Sequence, residues 1–247
     1  MVENVPDYLT ILVLTVVTAL FLGVTFGLLW ARTRLDEDDV HGRSLALAAV
    51  LTVIFWYVLS CWLGSQNFFK ASAASPLPPM ISFGIMLPLI LLGPVVFWSS
   101  VFSRLIDQFS QPVLVGFQIY RVAGVLFFVS LGAGLMPGVF VYPAGIGDIL
   151  TGVFAGVVAL IYLRARLAAA SLVVAWNWFG IADLVVAVAV GYLSSPGPFH
   201  ILSLDAPNHW ISAYPFVLVP VFAVPMSILL HFCSLKKLKM DQAREGQ

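Results

Sequence analysis

The sequence predicts an all-α protein, a polytopic transmembrane bundle of seven spanning helices with the N-terminus outside and the C-terminus in the cytoplasm. Three observations predict it. Of the 247 residues, 61% are apolar and only 10% are charged, whereas roughly a quarter are charged in soluble domains. Seven apolar stretches reach the roughly 20 residues that a spanning helix needs. Lysines and arginines concentrate in alternate connections between those stretches.

The seven predicted spans follow one another closely along the chain. They cover residues 8–31, 44–64, 79–102, 112–135, 143–163, 168–193 and 211–233. A bundle of this size leaves no room for a separate soluble domain. We therefore expect residues 1–247 to form a single transmembrane domain that ends in a short basic cytoplasmic tail, 235–247.

Basic residues mark one side of the predicted bundle. Of the 12 lysines and arginines, the even-numbered connections hold Lys70 alone. Because cytoplasmic connections carry the excess of Lys and Arg, the odd-numbered connections and the tail are expected in the cytoplasm. The N-terminal residues MVENVPDY are acidic and lack the basic region of a signal peptide. We expect the chain to remain uncleaved in the plasma or inner membrane, with the lipid bilayer as its main partner.

Two connections on the outer side differ in how clearly they can be interpreted. Residues 72–79 are typical of an ordinary outer loop. Residues 136–147 are rich in Pro, Gly and Ala and allow two interpretations, a tight hairpin or a partly unwound start of the fifth span. Irregular backbone at membrane depth has to face protein or water.

Three charged residues fall well inside the predicted spans: Arg121 in the fourth, Asp148 in the fifth and Asp183 in the sixth. A charge that faces lipid near the bilayer centre costs at least ~2.5 kcal/mol, so such side chains turn inward and pair. Counted from the outer ends, Asp148 lies about 8–10 Å deep, Asp183 about 15 Å and Arg121 about 21 Å. Because consecutive helices are usually neighbours, we expect a buried cluster in which Arg121 pairs with Asp183, with Asp148 as a further candidate partner.

Two interpretations of this cluster remain open. A buried ion pair can lock three helices together and do nothing else. Two aspartates with one arginine also leave either a net negative charge or a protonated aspartate. The second arrangement is what a proton or cation site requires.

The residues around Asp148 are typical of a close-packed polar site. Gly145 and Gly147 precede it and allow close approach of a neighbouring backbone. Asp148 itself is expected in the first turns of its helix, where the helix dipole favours a negative charge. Gly152 and Gly156 continue a stripe of small residues suited to helix contact.

Four further residues lie on or beside the helical faces of the three charges and complete the candidate site. They are Gln118, Thr151, Trp176 and Asn177. We expect Thr151, three residues after Asp148, to hydrogen-bond to that carboxylate. The first two spans carry no charge and few polar groups, so they are expected to be lipid-facing walls.

Prolines interrupt the seventh span at five-residue intervals. They are Pro215, Pro220 and Pro225. Each removes one backbone hydrogen bond and bends the helix, which deprives the carbonyls of Ile211, Phe216 and Val221 of their usual partners. Freed carbonyls can hold ions in transporters. The simpler interpretation is a kinked helix whose carbonyls find other partners.

The sequence indicates no cofactor, no metal centre and no nucleic-acid partner. The formal net charge is zero, and the four histidines are scattered. His231, near the predicted inner end of the seventh span, is expected to complement the helix C-terminus. Nucleotide-binding and hydrolase motifs are missing, and the Gly-x-Gly-Asp of residues 145–148 is an incomplete match to intramembrane aspartyl proteases. These observations weigh against an enzyme without deciding the question.

Three functions are compatible with the sequence. The first is a small proton- or cation-coupled transporter for a small molecule or ion, with Asp148 and Asp183 as acceptors and Arg121 as the counter-charge. The second is a membrane enzyme, or an accessory subunit of one, that acts on a lipid or quinone. The third is a scaffold whose charges only hold helices together. A cavity open to water would favour transport, a slot open to lipid would favour the enzyme, and a dry, fully paired cluster would favour the scaffold.

Overall fold

The computed structural model describes residues 5–72 and 80–245, and within them every regular element is a helix. Seven helical segments are long and apolar enough to cross a bilayer: Asp7–Arg34, Val40–Ser65, Ile81–Trp98, Gln111–Gly132, Gly138–Ala165, Ala170–Ser194 and Val219–Glu245. Large apolar side chains such as Phe26, Phe55 and Ile90 are 64–66% exposed, which suits lipid and not water. The chain is therefore a multi-pass membrane protein, as the composition predicts.

The α-helices are numbered in chain order. They are α1 (Asp7–Arg34), α2 (Val40–Ser65), α3 (Ile81–Trp98), α4 (Ser100–Asp107), α5 (Gln111–Gly116), α6 (Val125–Gly132), α7 (Gly138–Ala165), α8 (Ala170–Ser194) and α9 (Val224–Glu245). Most of the predicted outer loop 72–79 lies outside the described residues, as does Pro79, the predicted start of the third span. The third span ends at Trp98 and not at residue 102, because a bend at Ser99 starts the short helix α4.

The seventh span forms the centre of the bundle. Inside it 72% of the apolar window is buried, against 22–39% in the other six spans. Helices α1 and α2 pack against each other, and only 28% and 22% of their apolar windows are buried, with α8 also at 28%. Their position agrees with the lipid-facing walls that the sequence predicts.

The prolines of the seventh span interrupt its helix, as predicted. The interruption is larger than a kink, because the first part of the span is not α-helical. Residues 213–217 form a bend and turns, a π-helix runs over Val219–Ala223, and α9 begins only at Val224. The carbonyl of Phe216 accepts a hydrogen bond from the N–H of Val219 (2.9 Å), and that of Val221 accepts one from Nε1 of Trp56 (2.9 Å). Two of the three freed carbonyls are therefore occupied, which favours the simpler interpretation over an ion site. The irregular backbone is buried in protein, as bilayer physics requires.

The fourth span is not the continuous α-helix that the sequence predicts. A 3-10 helix over Phe117–Gly124 separates α5 from α6, with Gly116 directly before it. Glycine at both borders lowers the cost of tightening the turn. Side chains three apart are eclipsed in a 3-10 helix, so Gln118, Arg121 and Gly124 form one row, and all three are buried.

The fifth span begins earlier than predicted. Helix α7 starts at Gly138 and continues without interruption through Pro143. The turn therefore lies at residues 133–137, and residues 138–147 form regular helix, which is neither a hairpin over 136–147 nor an unwound start of the fifth span. Asp148 is the eleventh residue of α7, and its placement in the first turns of a helix was wrong. At about 1.5 Å per residue, Asp148 lies about 15 Å from the helix start, close to the depth of Asp183.

We use the name basic end for the end of the bundle where α1 finishes at Arg34 and α9 at Glu245. Residues 235–245 continue α9 and do not form a separate tail. On this extension Lys237 Nζ lies 2.9 Å from Asp107 Oδ1, and Arg244 Nη2 lies 2.8 Å from Asp107 Oδ2. Helix α9 is thereby tied to α4 at the basic end.

Candidate functional site

Arg121 is the hub of a buried charge cluster at mid-depth. Its Nε donates to Asp148 Oδ1 at 2.7 Å, and its Nη2 donates to Asp183 Oδ2. Its Nη1 donates to the carbonyl of Gly180 at 3.2 Å. The Arg121 side chain is 1% exposed, against 18% for Asp148 and 7% for Asp183. The structure therefore brings together all three charges, and Arg121 pairs with both aspartates.

Glycines let the 3-10 helix approach α7 closely enough for this pairing. A Cβ on Gly152 would lie 2.5 Å from the backbone nitrogen of Val122. A Cβ on Gly124 would lie 2.6 Å from the Cβ of Asp148. In the predicted stripe of small residues, Gly152 makes a close helix contact and Gly156 does not, because a Cβ on Gly156 would meet no atom within 4 Å among the described residues.

Two more glycines make room for ionisable side chains. The carboxylate of Asp183 occupies the space that a Cβ on Gly147 would need. A Cβ on Gly180 would lie 2.5 Å from the ring of His231. Residue 147 is therefore a glycine because a larger side chain there would collide with Asp183 of the neighbouring helix α8.

His231 belongs to the cluster, contrary to its predicted role at a helix end. It is the eighth residue of α9 and is fully buried. Its Nε2 lies 3.4 Å from Arg121 Nη1, and its Nδ1 lies 2.9 Å from Asn177 Oδ1. Because the guanidinium can only donate, Nε2 accepts and Nδ1 carries the proton that is donated to Asn177. His231 is therefore a neutral imidazole in this arrangement.

A sequence signal for His231 exists. Ser227, His231 and Ser234 are spaced by four and three residues, so they form a polar stripe along an otherwise apolar helix. Ser227 and Ser234 are also buried. Placing the helix end near residue 233 hid this stripe, because it moved His231 to the membrane boundary.

The remaining predicted residues divide into two groups. Asn177 and Trp176 adjoin the cluster through His231, since Asn177 accepts its Nδ1–H and Trp176 packs on its ring with centroids 5.0 Å apart. Gln118 instead donates to the carbonyl of Ser227 at 2.9 Å. The hydroxyl of Thr151 has no partner among the described residues, so its predicted hydrogen bond to Asp148 is not formed.

Asn177 continues the polar contacts toward the basic end. Its Nδ2 donates to Ser234 Oγ at 3.0 Å, and Gln111 Nε2 donates to the same oxygen at 2.7 Å. Gln111 lines a 390 Å³ cavity at the basic end, together with Arg166 and Lys237. Neither Gln111 nor Ser234 was among the predicted site residues.

Two further cavities, separate from the one at the basic end, are lined by Asp148. The larger, 250 Å³, lies between α3, α7, α8 and residues 211–224, and it extends from Asp148 to Ala71 and Ser212 at the end opposite the basic end. We call it the α3–α8 cavity. A smaller one of 50 Å³ lies beside α1 and is bordered by Tyr120, Arg121 and Asp148. Asp148 borders both cavities, whereas Asp183 borders neither.

Two carboxylates at the basic end, those of Asp39 and Asp107, are held in ion pairs. Arg104 donates to both carboxylate oxygens of Asp39 at 2.8 Å, and this hydrogen bonding, with help from the N–H of Gly42, lowers the pKa of Asp39 to about 2. The hydrogen bonds from Arg244 lower the pKa of Asp107, against the opposing effect of its partial burial. Both carboxylates are therefore ionised over the physiological range.

No set of three His, Cys, Asp or Glu side chains that could hold a metal ion occurs in residues 5–72 and 80–245. The charge cluster offers two carboxylates that already share a guanidinium. Two ionised aspartates and one guanidinium carry a net charge of −1, so the arrangement can accept one proton or one further cation.

Comparison with known proteins places the chain in a family. Residues 78–239 match the family model described as Domain of unknown function (DUF8737). The chain belongs to this family. No curated protein and no solved structure matches the sequence. The DUF8737 region runs from the start of α3 into α9 and holds every residue of the charge cluster, whereas α1 and α2 precede it.

Proposed function

We propose that this chain is a small proton- or cation-coupled transporter whose substrate cavity ends on Asp148. The observation that carries the proposal is the α3–α8 cavity, which connects Asp148 with the end of the bundle opposite the basic end. Cavities between the helices of a bundle, with few polar groups at one point, are the usual place for small-molecule sites. An ionisable residue within a membrane is by default a candidate for an ion or substrate pathway.

The charge balance of the cluster supports coupling. Arg121 can neutralise only one of its two aspartates, and His231 contributes no charge in the tautomer that its contacts require. One further positive charge, a proton or another cation, completes the neutralisation. Asp148 is the accessible acceptor, because its Oδ2 has no hydrogen-bond partner among the described residues and its side chain is 18% exposed.

We further propose that the protein lies in the plasma or inner membrane with the N-terminus outside and the basic end in the cytoplasm. The distribution of lysines and arginines supports this orientation. The α3–α8 cavity would then lead to the outer side. The ion pairs of Asp107 with Lys237 and Arg244 would hold α9 against α4 on the cytoplasmic side.

A second candidate function is a membrane enzyme, or an accessory subunit, that acts on a lipid or quinone. The observation that favours it is the apolar wall of the α3–α8 cavity, built from side chains such as Ile85, Leu184 and Val188. A purely structural role is less consistent with an aspartate that borders two cavities.

Liposomes that contain the purified protein and an internal pH-sensitive dye test transport. We expect wild-type vesicles to change their internal pH faster than protein-free vesicles when a pH gradient, or a sodium or potassium gradient that can exchange for protons, is imposed. Asp148→Asn should abolish the difference, and Asp183→Asn should reduce it. Asp205→Asn, which alters an exposed aspartate outside the described helices, is the matched control and should behave as wild type.

Thermal unfolding and gel filtration of each variant show whether it is folded. If folded wild-type protein dissipates no gradient faster than empty vesicles do, the transport proposal is wrong. If Asp148→Asn is folded and fully active, Asp148 is not the coupling residue.

A further inference from the structure

The α3–α8 cavity has a lining that combines one negative charge with aromatic rings. Its inner end is the carboxylate of Asp148, and no basic side chain is among the described residues that line it. Phe127, Phe140 and Tyr192 contribute rings to the wall. The rings of Phe127 and Phe140 meet edge to face with centroids 5.3 Å apart.

This combination discriminates between classes of ligand. An aromatic face carries negative charge and attracts a cation, and aromatic walls are a recurrent means of binding quaternary ammonium groups. An anion would face Asp148 with no cation beside it in the cavity. A hydrated metal ion would have to give up water for an apolar wall that supplies few oxygen ligands. An organic cation loses little hydration and matches both the rings and the carboxylate.

We propose that the α3–α8 cavity binds a small organic ammonium ion, with its charge directed to Asp148 and its apolar substituents against Phe127, Phe140 and Tyr192. This inference rests on the proposed function in one respect, since it names the substrate class of the same site. The volume of 250 Å³ is below the roughly 300 Å³ at which drug-sized ligand sites begin, so the ligand is smaller than a typical drug.

The charge of the ligand also matches the charge of the cluster. Arg121 holds Oδ1 of Asp148 and leaves Oδ2 without a partner among the described residues. A monovalent ammonium ion beside Oδ2 would neutralise the remaining negative charge without displacing Arg121. The rings of Phe127 and Phe140 would then cover the substituents of the ion.

Equilibrium dialysis of the purified full-length protein in detergent with radiolabelled benzyltrimethylammonium tests this inference. The competitor is neopentylbenzene, which has the same shape with carbon in place of the charged nitrogen. We expect saturable binding of one ion per chain, and no displacement by the neutral isostere at matched concentration. If neopentylbenzene displaces the labelled ion as effectively as unlabelled benzyltrimethylammonium does, the cavity recognises only apolar shape and the inference is wrong.

Two variants with matched controls locate the site. Asp148→Asn should weaken binding at least tenfold, whereas Asp205→Asn should leave it unchanged.

Phe140→Leu should weaken binding about two- to fivefold through the lost ring, whereas Phe154→Leu, on the exposed face of α7, should have no effect. If folded Asp148→Asn binds the ion as wild type does, the inference is wrong. If Asp148→Asn fails to fold, Phe140→Leu and the neutral isostere still decide it.

Binding in detergent requires no transport, so the two proposals fail separately. Binding that depends on Asp148, together with no gradient dissipation in liposomes, would retain the ligand class and reject the transporter. Gradient dissipation without ammonium binding would retain the transporter and reject the ligand class.

Discussion

Nη1 of Arg121 lies 3.4 Å from Nε2 of His231, so a permanent cation and a buried imidazole share one site in the middle of the bundle. The imidazole can lie there because its second nitrogen donates to Asn177 Oδ1 at 2.9 Å. The contact joins the 3-10 helix of the fourth span to the central helix α9. It also determines the tautomer of His231 and the orientation of the buried Asn177 amide, whose nitrogen donates to Ser234 Oγ.

His231→Leu should destabilise the protein by about 1–3 kcal/mol, because it leaves the buried Oδ1 of Asn177 and a guanidinium N–H without partners. His231→Asn should cost less, because its amide can replace the donor to Asn177. Thermal unfolding in detergent, followed by intrinsic tryptophan fluorescence or by aggregation, measures the difference in stability between the two variants. Equal unfolding temperatures for the two variants would mean that the hydrogen bond to Asn177 contributes little.

Arg121→Met should destabilise the protein by about 3–5 kcal/mol, because removal of one partner leaves buried carboxylates uncompensated. Neutralising the aspartates in the same chain should recover part of the loss. We expect the triple variant Arg121→Met, Asp148→Asn, Asp183→Asn to unfold at a higher temperature than Arg121→Met alone. A triple variant that is less stable than Arg121→Met would show that the arginine contributes mainly by packing.

Gly152→Ala should destabilise the protein by about 1–3 kcal/mol through overpacking, because the added Cβ would lie 2.5 Å from the backbone nitrogen of Val122. Gly156→Ala is the matched control one turn further along α7. Its Cβ meets no described atom within 4 Å, and alanine favours a helix over glycine, so this variant should be as stable as wild type or more so. Thermal unfolding compares the two directly. A similar loss in both variants would mean that close approach to the 3-10 helix is not the cause.

Asp39 should make stability depend on pH in the acid range. Its carboxyl has a pKa of about 2 in the folded protein, against an ordinary value of 3.8. A lowered pKa stabilises the folded state above the ordinary value, and this stabilisation is lost as the pH falls from about 4 to about 2. We expect Asp39→Asn, which can still cap α2, to unfold at a temperature that changes less over this interval than that of wild type.

The control for this pH series is Asp38→Asn, which removes a neighbouring carboxyl that has no ion pair among the described residues. Asp38→Asn should retain the wild-type pH dependence. If Asp39→Asn follows the wild-type curve throughout, the ion pair with Arg104 does not account for the acid sensitivity.

The sequence by itself determined the seven spans and the inward-facing, paired arrangement of Arg121, Asp148 and Asp183. Both follow from local quantities, namely the length of apolar chain that a bilayer accepts and the cost of a charge in lipid. It also indicated that the prolines of the seventh span interrupt a helix, because a missing N–H is a property of the residue alone.

Only the tertiary structure decided which helix faces which, and at what depth. The 3-10 segment around Arg121 depends on how closely α7 approaches at Gly152, and the start of α7 at Gly138 depends on how the chain turns after α6. His231 lies beside Arg121 because α9 is the central helix and continues to Glu245, which places His231 inside the bundle and not at the end of the helix. Such features arise from packing between distant parts of the chain, so composition and spacing along one helix do not contain them.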